Sequence, residues 1–208
     1  LDLPLIYPIT DTRLSGLSHA GQIEQLIAGG ATLVQLREKH ASAGEFYQDA
    51  EKALEIARLH NVKIIINDRV DIAFALGADG VHLGQNDLPP TEAREILGED
   101  AIIGYSTHSL AQAIEAARLA IDYIAFGPVY DTRTKETPDK TVGLEGLRWV
   151  REAVPGFPLV AIGGINSENL TPVFEAGADS AAIISDLFTG PDNITSKMAH
   201  LLRLSNSQ

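Results

Sequence analysis

Residues 29–40 read GGATLVQLREKH, and this stretch sets the plan of the fold. Gly29 and Gly30 stop a preceding helix, because glycine accepts the turn that ends one. Leu33, Val34 and Leu36 then supply the apolar run of a buried strand. Polar residues follow at alternate positions. In an extended chain Gln35, Arg37 and Lys39 point one way, while Val34 and Leu36 point the other. One helix stop, one inner strand and one polar strand end thus follow in twelve residues. The helix stop recurs as LGADGVH at 76–82 and AGADSAA at 176–182. On that side of the strands the pattern reads as stability.

Outward from this unit the same rhythm fills the chain. Strand-like runs are LPLIYPIT, TLVQLRE, VKIIIND, GVHLGQ, AIIGYST, YIAFGPV, PLVAIGG and AAIISD. Helical patterns lie between and after them, near 20–29, 44–60, 70–77, 91–97, 109–119, 145–154, 167–176 and 192–204. Alternating strands and helices imply a parallel sheet. Eight units in 208 residues favour a closed (β/α)8 barrel (a TIM barrel) over an open doubly wound sheet, as a single α/β domain over 1–208. Pro8 lies in the first strand and cannot donate to a ladder, so a local irregularity is expected there.

Composition narrows the function. A formal net charge of −12 argues against nucleic acid as a partner, and makes a local cationic cluster a small-anion site. The chain has no cysteine, which removes thiol chemistry and disulfides and fits a cytoplasmic location. No apolar run is long enough for a membrane span, and LDLPLIYPITDTR does not read as a signal peptide.

Barrel enzymes carry their chemistry at the C-terminal strand ends. The unusual residues fall there: Gln35, Arg37 and Lys39; Asn67 and Asp68; His82, Gln85 and Asp87; Ser106 and His108; then the two glycines of AIGGI and Ser185. Singly, each has a plainer reading. Asp68 and Asp87 could cap helices, His82 could be a satisfied interior histidine, and Ser106 a turn residue. Together they place cations, two hard carboxylates and glycine turns on one rim. Carboxylates suit Mg2+, and Arg and Lys suit phosphate oxygens. The rim reads as a site for a diphosphate with Mg2+ and for a second, monophosphate substrate.

The motifs QLREK, INDR, GVHLGQND, GYSTH, GPVYDTRTK, AIGGI and IIS, in this order and spacing, resemble the thiamine-phosphate synthase family over nearly the whole chain. That family joins 4-amino-2-methyl-5-hydroxymethylpyrimidine diphosphate to 4-methyl-5-(2-hydroxyethyl)thiazole phosphate and releases pyrophosphate. The resemblance implies that Gln35, Arg37, Lys39, Asn67 and Lys135 hold the pyrimidine diphosphate, with Ser106 near its pyrophosphate. It implies Mg2+ ligands at Asp68 and Asp87. Thr132, Thr134, Gly164, Ile184 and Ser185 match positions around the thiazole phosphate, and Tyr7 and His82 match pocket residues near the pyrimidine. Arg37, Lys39, Ser106 and Lys135 are the expected catalytic residues, and a homodimer is the expected assembly.

The stretch from Tyr130 to Gly143 is long for a strand–helix loop and suits a mobile lid. Asp186 departs from the family pattern, since a carboxylate beside a phosphate site is unfavourable unless it points away. Two other readings stay open. One is a thiazole tautomerase, a sister barrel that uses a histidine, for which His108 is the candidate. The other is a phosphate-ligand sensor without catalysis.

Overall fold

The computed structural model describes residues 2–132, 140–189 and 193–206. In chain order the first half comprises β1 (Ile6–Pro8), α1 (Thr12–Ser15), α2 (His19–Ala28), β2 (Leu33–Leu36), α3 (Ala43–Leu59), β3 (Lys63–Asn67), α4 (Val70–Leu76), β4 (Gly80–Leu83) and α5 (Pro90–Leu97). The second half comprises β5 (Ile102–Thr107), α6 (Leu110–Ala116), β6 (Tyr123–Phe126), α7 (Gly143–Ala153), β7 (Leu159–Ile162), α8 (Leu170–Glu175), β8 (Ser180–Ile183), α9 (Ser185–Phe188) and α10 (Ile194–Ser205). The strands pair in parallel in the order β1-β8-β7-β6-β5-β4-β3-β2. A single bridge between Ile9 and Gln35 joins β1 to β2 and closes the circle. This is the expected (β/α)8 barrel.

Pro8 explains why that seam is so short. Ile9 N–H donates to Ile183 across β8 at 3.0 Å, and Thr10 N–H donates to Gln35 across β2 at 2.9 Å. Successive N–H groups of a strand face alternate neighbours, so position 8 faces β2, where proline has no N–H to give. The irregularity expected at Pro8 is therefore the barrel seam.

Alternation along the strands makes two cores. Outward residues such as Leu36, Ile64, Ile66, Leu83 and Phe126 pack under the helices. Each such side chain contributes about 1.5–3 kcal/mol relative to exposure. Inward residues Leu33, Ile65, Ile102, Ala125, Val160 and Ala182 fill the barrel with Tyr7 and Tyr123.

The N-terminal side of the strands serves stability, as the repeated motifs suggested. Asp79 accepts the Ile64 N–H at 2.8 Å, Asp122 accepts the Ile103 N–H at 2.7 Å, and Asp179 accepts the Leu159 N–H at 2.8 Å. Each carboxylate ties the start of one strand to the residue before the next. Arg94 and Arg151 reinforce Asp122 and Asp179. All eight expected helices form, and α1 and α9 are additional short ones. Helix α8 starts at Leu170, later than expected, because the Asn166 carboxamide oxygen accepts the Glu168 and Asn169 N–H groups in a turn ahead of it.

Candidate active site

The strand carrying Gln35 stops sooner than its sequence suggested. β2 ends at Leu36, and Arg37 and Lys39 lie on the loop beyond it. The cause is side-chain capture of backbone donors. The Thr10 hydroxyl accepts the Arg37 N–H at 3.2 Å. The Glu38 carboxylate accepts the N–H groups of Lys39, His40 and Ala41 at 2.8, 2.7 and 3.1 Å. Gln35 points inward and is buried against Tyr7, while Leu36 packs outward under the helices. Arg37 and Lys39 then diverge, one toward β1 and one toward β3.

Arg37 places its guanidinium 3.2 Å from Asp11, with its side chain 15% exposed. Asp11 also caps α1 by accepting the Arg13 and Leu14 N–H groups, so the anchor is itself fixed. One carboxylate contact leaves most of the five guanidinium donors for a ligand. Lys39 is ion-paired with Asp68. Asp68 follows β3 with φ of 61°, in the left-handed region that Asp tolerates better than most residues. Its N–H donates to the His82 carbonyl at 2.8 Å, and the Asn67 carboxamide donates to its carboxylate. Asp68 is not a helix cap, since α4 has Arg69 at that position and no side-chain cap bond.

Asp87 also escapes the capping role. Its carboxylate accepts the Gly84 N–H at 2.7 Å, and α5 begins after Pro89. Burial raises the Asp87 carboxyl above the ordinary carboxylate range. The Gly84 N–H opposes that shift, and the neighbouring Asp68 carboxylate adds to it. A carboxyl raised by burial and by the Asp68 carboxylate, with Lys39 beside it, makes a place that a divalent cation would stabilise. No third His, Cys, Asp or Glu joins them in a metal-binding group among the described residues. One or two carboxylates with water and phosphate oxygens is the ordinary Mg2+ set, so Asp68 and Asp87 fit that ion.

On the strand next to β4, Ser106 near the end of β5 lies 2.8 Å from His82 Nε2. His82 Nδ1 lies 3.0 Å from the Tyr123 hydroxyl, and that hydroxyl lies 3.0 Å from the Tyr7 hydroxyl. Gln85 holds the Ser106 carbonyl at 2.6 Å. His108 bonds through Nδ1 to the Gly127 carbonyl at 2.7 Å, which turns that nitrogen into the β6 end.

The β7 end is a glycine turn. Gly164 has φ of 65°, and a Cβ there would sit 2.6 Å from the Asp131 carbonyl oxygen and 2.7 Å from Tyr130 Cβ. Only glycine fits that crossing of the β6 and β7 loops. Ile184 and Ser185 begin α9, the short extra helix after the last strand. Barrels of this kind commonly bind phosphate at these two loops. Asp186 is accommodated here. Its carboxylate accepts the Ser167 N–H at 3.2 Å and ties α9 to the β7 loop. Thr132 lies on the loop after β6. Thr134, Lys135 and the centre of the expected lid lie outside the described residues.

Sequence reasoning missed Thr10, Asp11, Glu38 and Tyr123. Tyr123 was within reach, because it alternates with Ile124 and Phe126 and so had to face inward with Ala125. The other three act through loop geometry, which no periodicity reports.

A family model described as thiamine monophosphate synthase matches residues 6–187. A thiamine-phosphate synthase of Clostridium novyi is 46% identical over 188 residues, covering 90% of this chain and 92% of the relative. One from Chloroflexus aurantiacus is 45% identical, covering 90% and 86%. The solved thiamine phosphate pyrophosphorylase of Pyrococcus furiosus superimposes with a TM-score of 0.88 at 36% identity, covering 97% of this chain and 95% of that one. With barrel and similarity in agreement over nearly its full length, the chain belongs to the thiamine monophosphate synthase family and is an enzyme of that transferase type.

Proposed function

We propose that the chain couples 4-amino-2-methyl-5-hydroxymethylpyrimidine diphosphate to 4-methyl-5-(2-hydroxyethyl)thiazole phosphate, with Mg2+, to give thiamine phosphate and pyrophosphate. The observation that carries this reading is the meeting of Asp68, Asp87, Lys39 and Asn67 at one side of the barrel mouth. Arg37 lies on the same loop as Lys39, and the Gly164–Ser185 backbone site is held together through Asp186. The first group suits a diphosphate and the second a monophosphate.

The aminopyrimidine can donate electron density toward its exocyclic CH2, so the C–O bond breaks before the thiazole nitrogen attacks. The chain then needs no covalent nucleophile. Arg37 and Lys39 stabilise the charge that grows on the departing pyrophosphate, and Lys135 has the same role by resemblance. Asp68 and Asp87 would hold Mg2+, which supplies positive charge to the diphosphate oxygens. Buried Gln35, Asn67 and His82 line the floor of the mouth and limit water near the pyrimidine cation. Gly164 and Ser185 position the thiazole phosphate so that its ring nitrogen faces that cation. A homodimer in the cytoplasm completes the proposal, supported by the family resemblance. Among the described residues no helix is long and apolar enough to cross a membrane.

Purified protein, both substrates and Mg2+ should release pyrophosphate and form thiamine phosphate in equal amounts. Isomerisation of a thiazole phosphate alone would establish the tautomerase reading instead. Ligand binding with no turnover at any Mg2+ concentration would establish the sensor.

A further inference from the structure

Five polar side chains from five strands form one row across the barrel interior. The Gln35 carboxamide nitrogen donates to the Tyr7 hydroxyl at 3.1 Å, and the Tyr7 and Tyr123 hydroxyls lie 3.0 Å apart. The Tyr123 hydroxyl lies 3.0 Å from His82 Nδ1, and His82 Nε2 lies 2.8 Å from the Ser106 hydroxyl. Tyr123 is the central link, and the family resemblance gives it no role.

The fold is built around this link. A Cβ on Gly104 would fall 2.0 Å from Tyr123 Cζ and 2.5 Å from His82 Nδ1, so the glycine makes room for the contact. The Tyr123 ring stacks on His82 with centroids 5.6 Å apart and meets Tyr7 edge-on at 5.9 Å. Both tyrosines are fully buried, and burial lifts both hydroxyls well above their ordinary range. Both therefore stay neutral, and each has a single proton to place.

Those single protons give the row a direction. Either hydroxyl can donate across the Tyr7–Tyr123 contact; with Tyr7 accepting from Gln35, a row in which every proton has an acceptor sends the Tyr7 proton to Tyr123. Tyr123 then gives its proton to His82 Nδ1. A neutral imidazole that accepts at Nδ1 carries its hydrogen on Nε2, and it donates to Ser106. Ser106, already accepting from the floor, turns its own proton toward the mouth. If the Gln35 amide were reversed, every link would reverse with it. Ser106 would then face the mouth with a lone pair.

We propose that Tyr123 is a positioning residue that transmits the orientation of the Gln35 amide to Ser106, fixing the Ser106 hydroxyl as a hydrogen-bond donor to the diphosphate substrate. This rests on the proposed function for the identity of the ligand. An oriented donor is worth most where charge develops and water is scarce. Replacing Tyr123 by Phe keeps the stacked ring and removes the proton that holds His82 in one tautomer.

Two measurements decide it. In 15N NMR of the wild-type protein at neutral pH, the His82 ring, identified by the resonances lost in His82→Gln, should carry its hydrogen on Nε2. Hydrogen on Nδ1 overturns the proposal without any reference to turnover. In kinetics, Tyr123→Phe should lower kcat roughly 10-fold while the diphosphate KM stays within about twofold. The same change in a Ser106→Ala background should cause no further loss, since the two residues act as one unit. Wild-type kcat in Tyr123→Phe, or an equal fold loss in both backgrounds, overturns the proposal. If Tyr123→Phe does not fold, Tyr7→Phe breaks the same row and enters the same cycle. A wild-type protein that makes no thiamine phosphate refutes the proposed reaction, and the NMR result still judges the direction of the row.

Discussion

The Arg37 guanidinium lies 3.2 Å from the Asp11 carboxylate, and Asp11 in turn caps α1. A cation that would serve a ligand is thus held from behind by a helix N-cap. Arg37→Ala should lower kcat by on the order of 10²–10³-fold, because the proposed contact of Arg37 with the diphosphate would strengthen as pyrophosphate leaves. Arg37→Lys should recover part of that, keeping the charge and losing the fork. Asp11→Asn should cost less than Arg37→Ala, since it loosens the guanidinium without removing it. Steady-state kinetics with a melting curve on each variant checks the set. Full activity with a small loss of Tm in Arg37→Ala would reduce Arg37 to a structural partner of Asp11.

Asp87→Asn removes one of two carboxylates that crowd each other beside Lys39. Turnover of the variant should need far more Mg2+ than wild type, with the difference shrinking as Mg2+ is raised. Titrating activity against Mg2+ tests this. Wild-type activity at limiting Mg2+ would show that Asp87 is no ligand.

Gly164→Ala would force a Cβ to 2.6 Å from a backbone oxygen at a left-handed φ. The conformational part alone costs about 1–2 kcal/mol, so Tm should fall. Because the turn belongs to the proposed monophosphate site, the thiazole-phosphate KM should rise several-fold more than the diphosphate KM. Ser185→Asp should show the same split with little change in Tm, by placing charge against that phosphate. Equal changes in both KM values would dissolve the division into two sites.

Glu38 links acid stability to the loop that carries Lys39. Burial raises its carboxyl, but the His40 and Ala41 N–H groups, the Thr12 hydroxyl and nearby His19 outweigh this and hold it at about 2, against an ordinary 4.5. A carboxylate lowered on folding stabilises the protein above its unfolded value and loses that effect as pH falls through the folded one. The Glu38 contribution should therefore be complete above about pH 4.5 and fade toward pH 2. Glu38→Gln should lower Tm at neutral pH and flatten its decline across that window. Parallel wild-type and variant melting curves over that acid range would count against the assignment.

The sequence by itself determined the barrel. Apolar runs of strand length, separated by helix-period stretches and glycine stops, leave few other ways to bury both faces of eight parallel strands. It also located the rim, because polar residues at the ends of otherwise apolar strands stand out against their own periodicity. Gln35, Asn67 and Asp68, Asp87 and Ser106 were legible in this way, and Pro8 announced an irregularity that the structure shows to be the seam. Tertiary structure decided what those residues touch. That Arg37 leans on Asp11 while Lys39 turns to Asp68 depends on Thr10 and Glu38 capturing backbone donors and ending β2 at Leu36. Asp186 could be read as harmful until its carboxylate was seen bound to the Ser167 N–H. Tyr123 joins Tyr7 and His82 only because closing the barrel brings β1, β4 and β6 around one interior. Local pattern encodes which face a residue takes, since strand and helix periods are properties of the backbone. Contacts between residues more than a hundred positions apart arise when the sheet curls shut, and no local period carries that information.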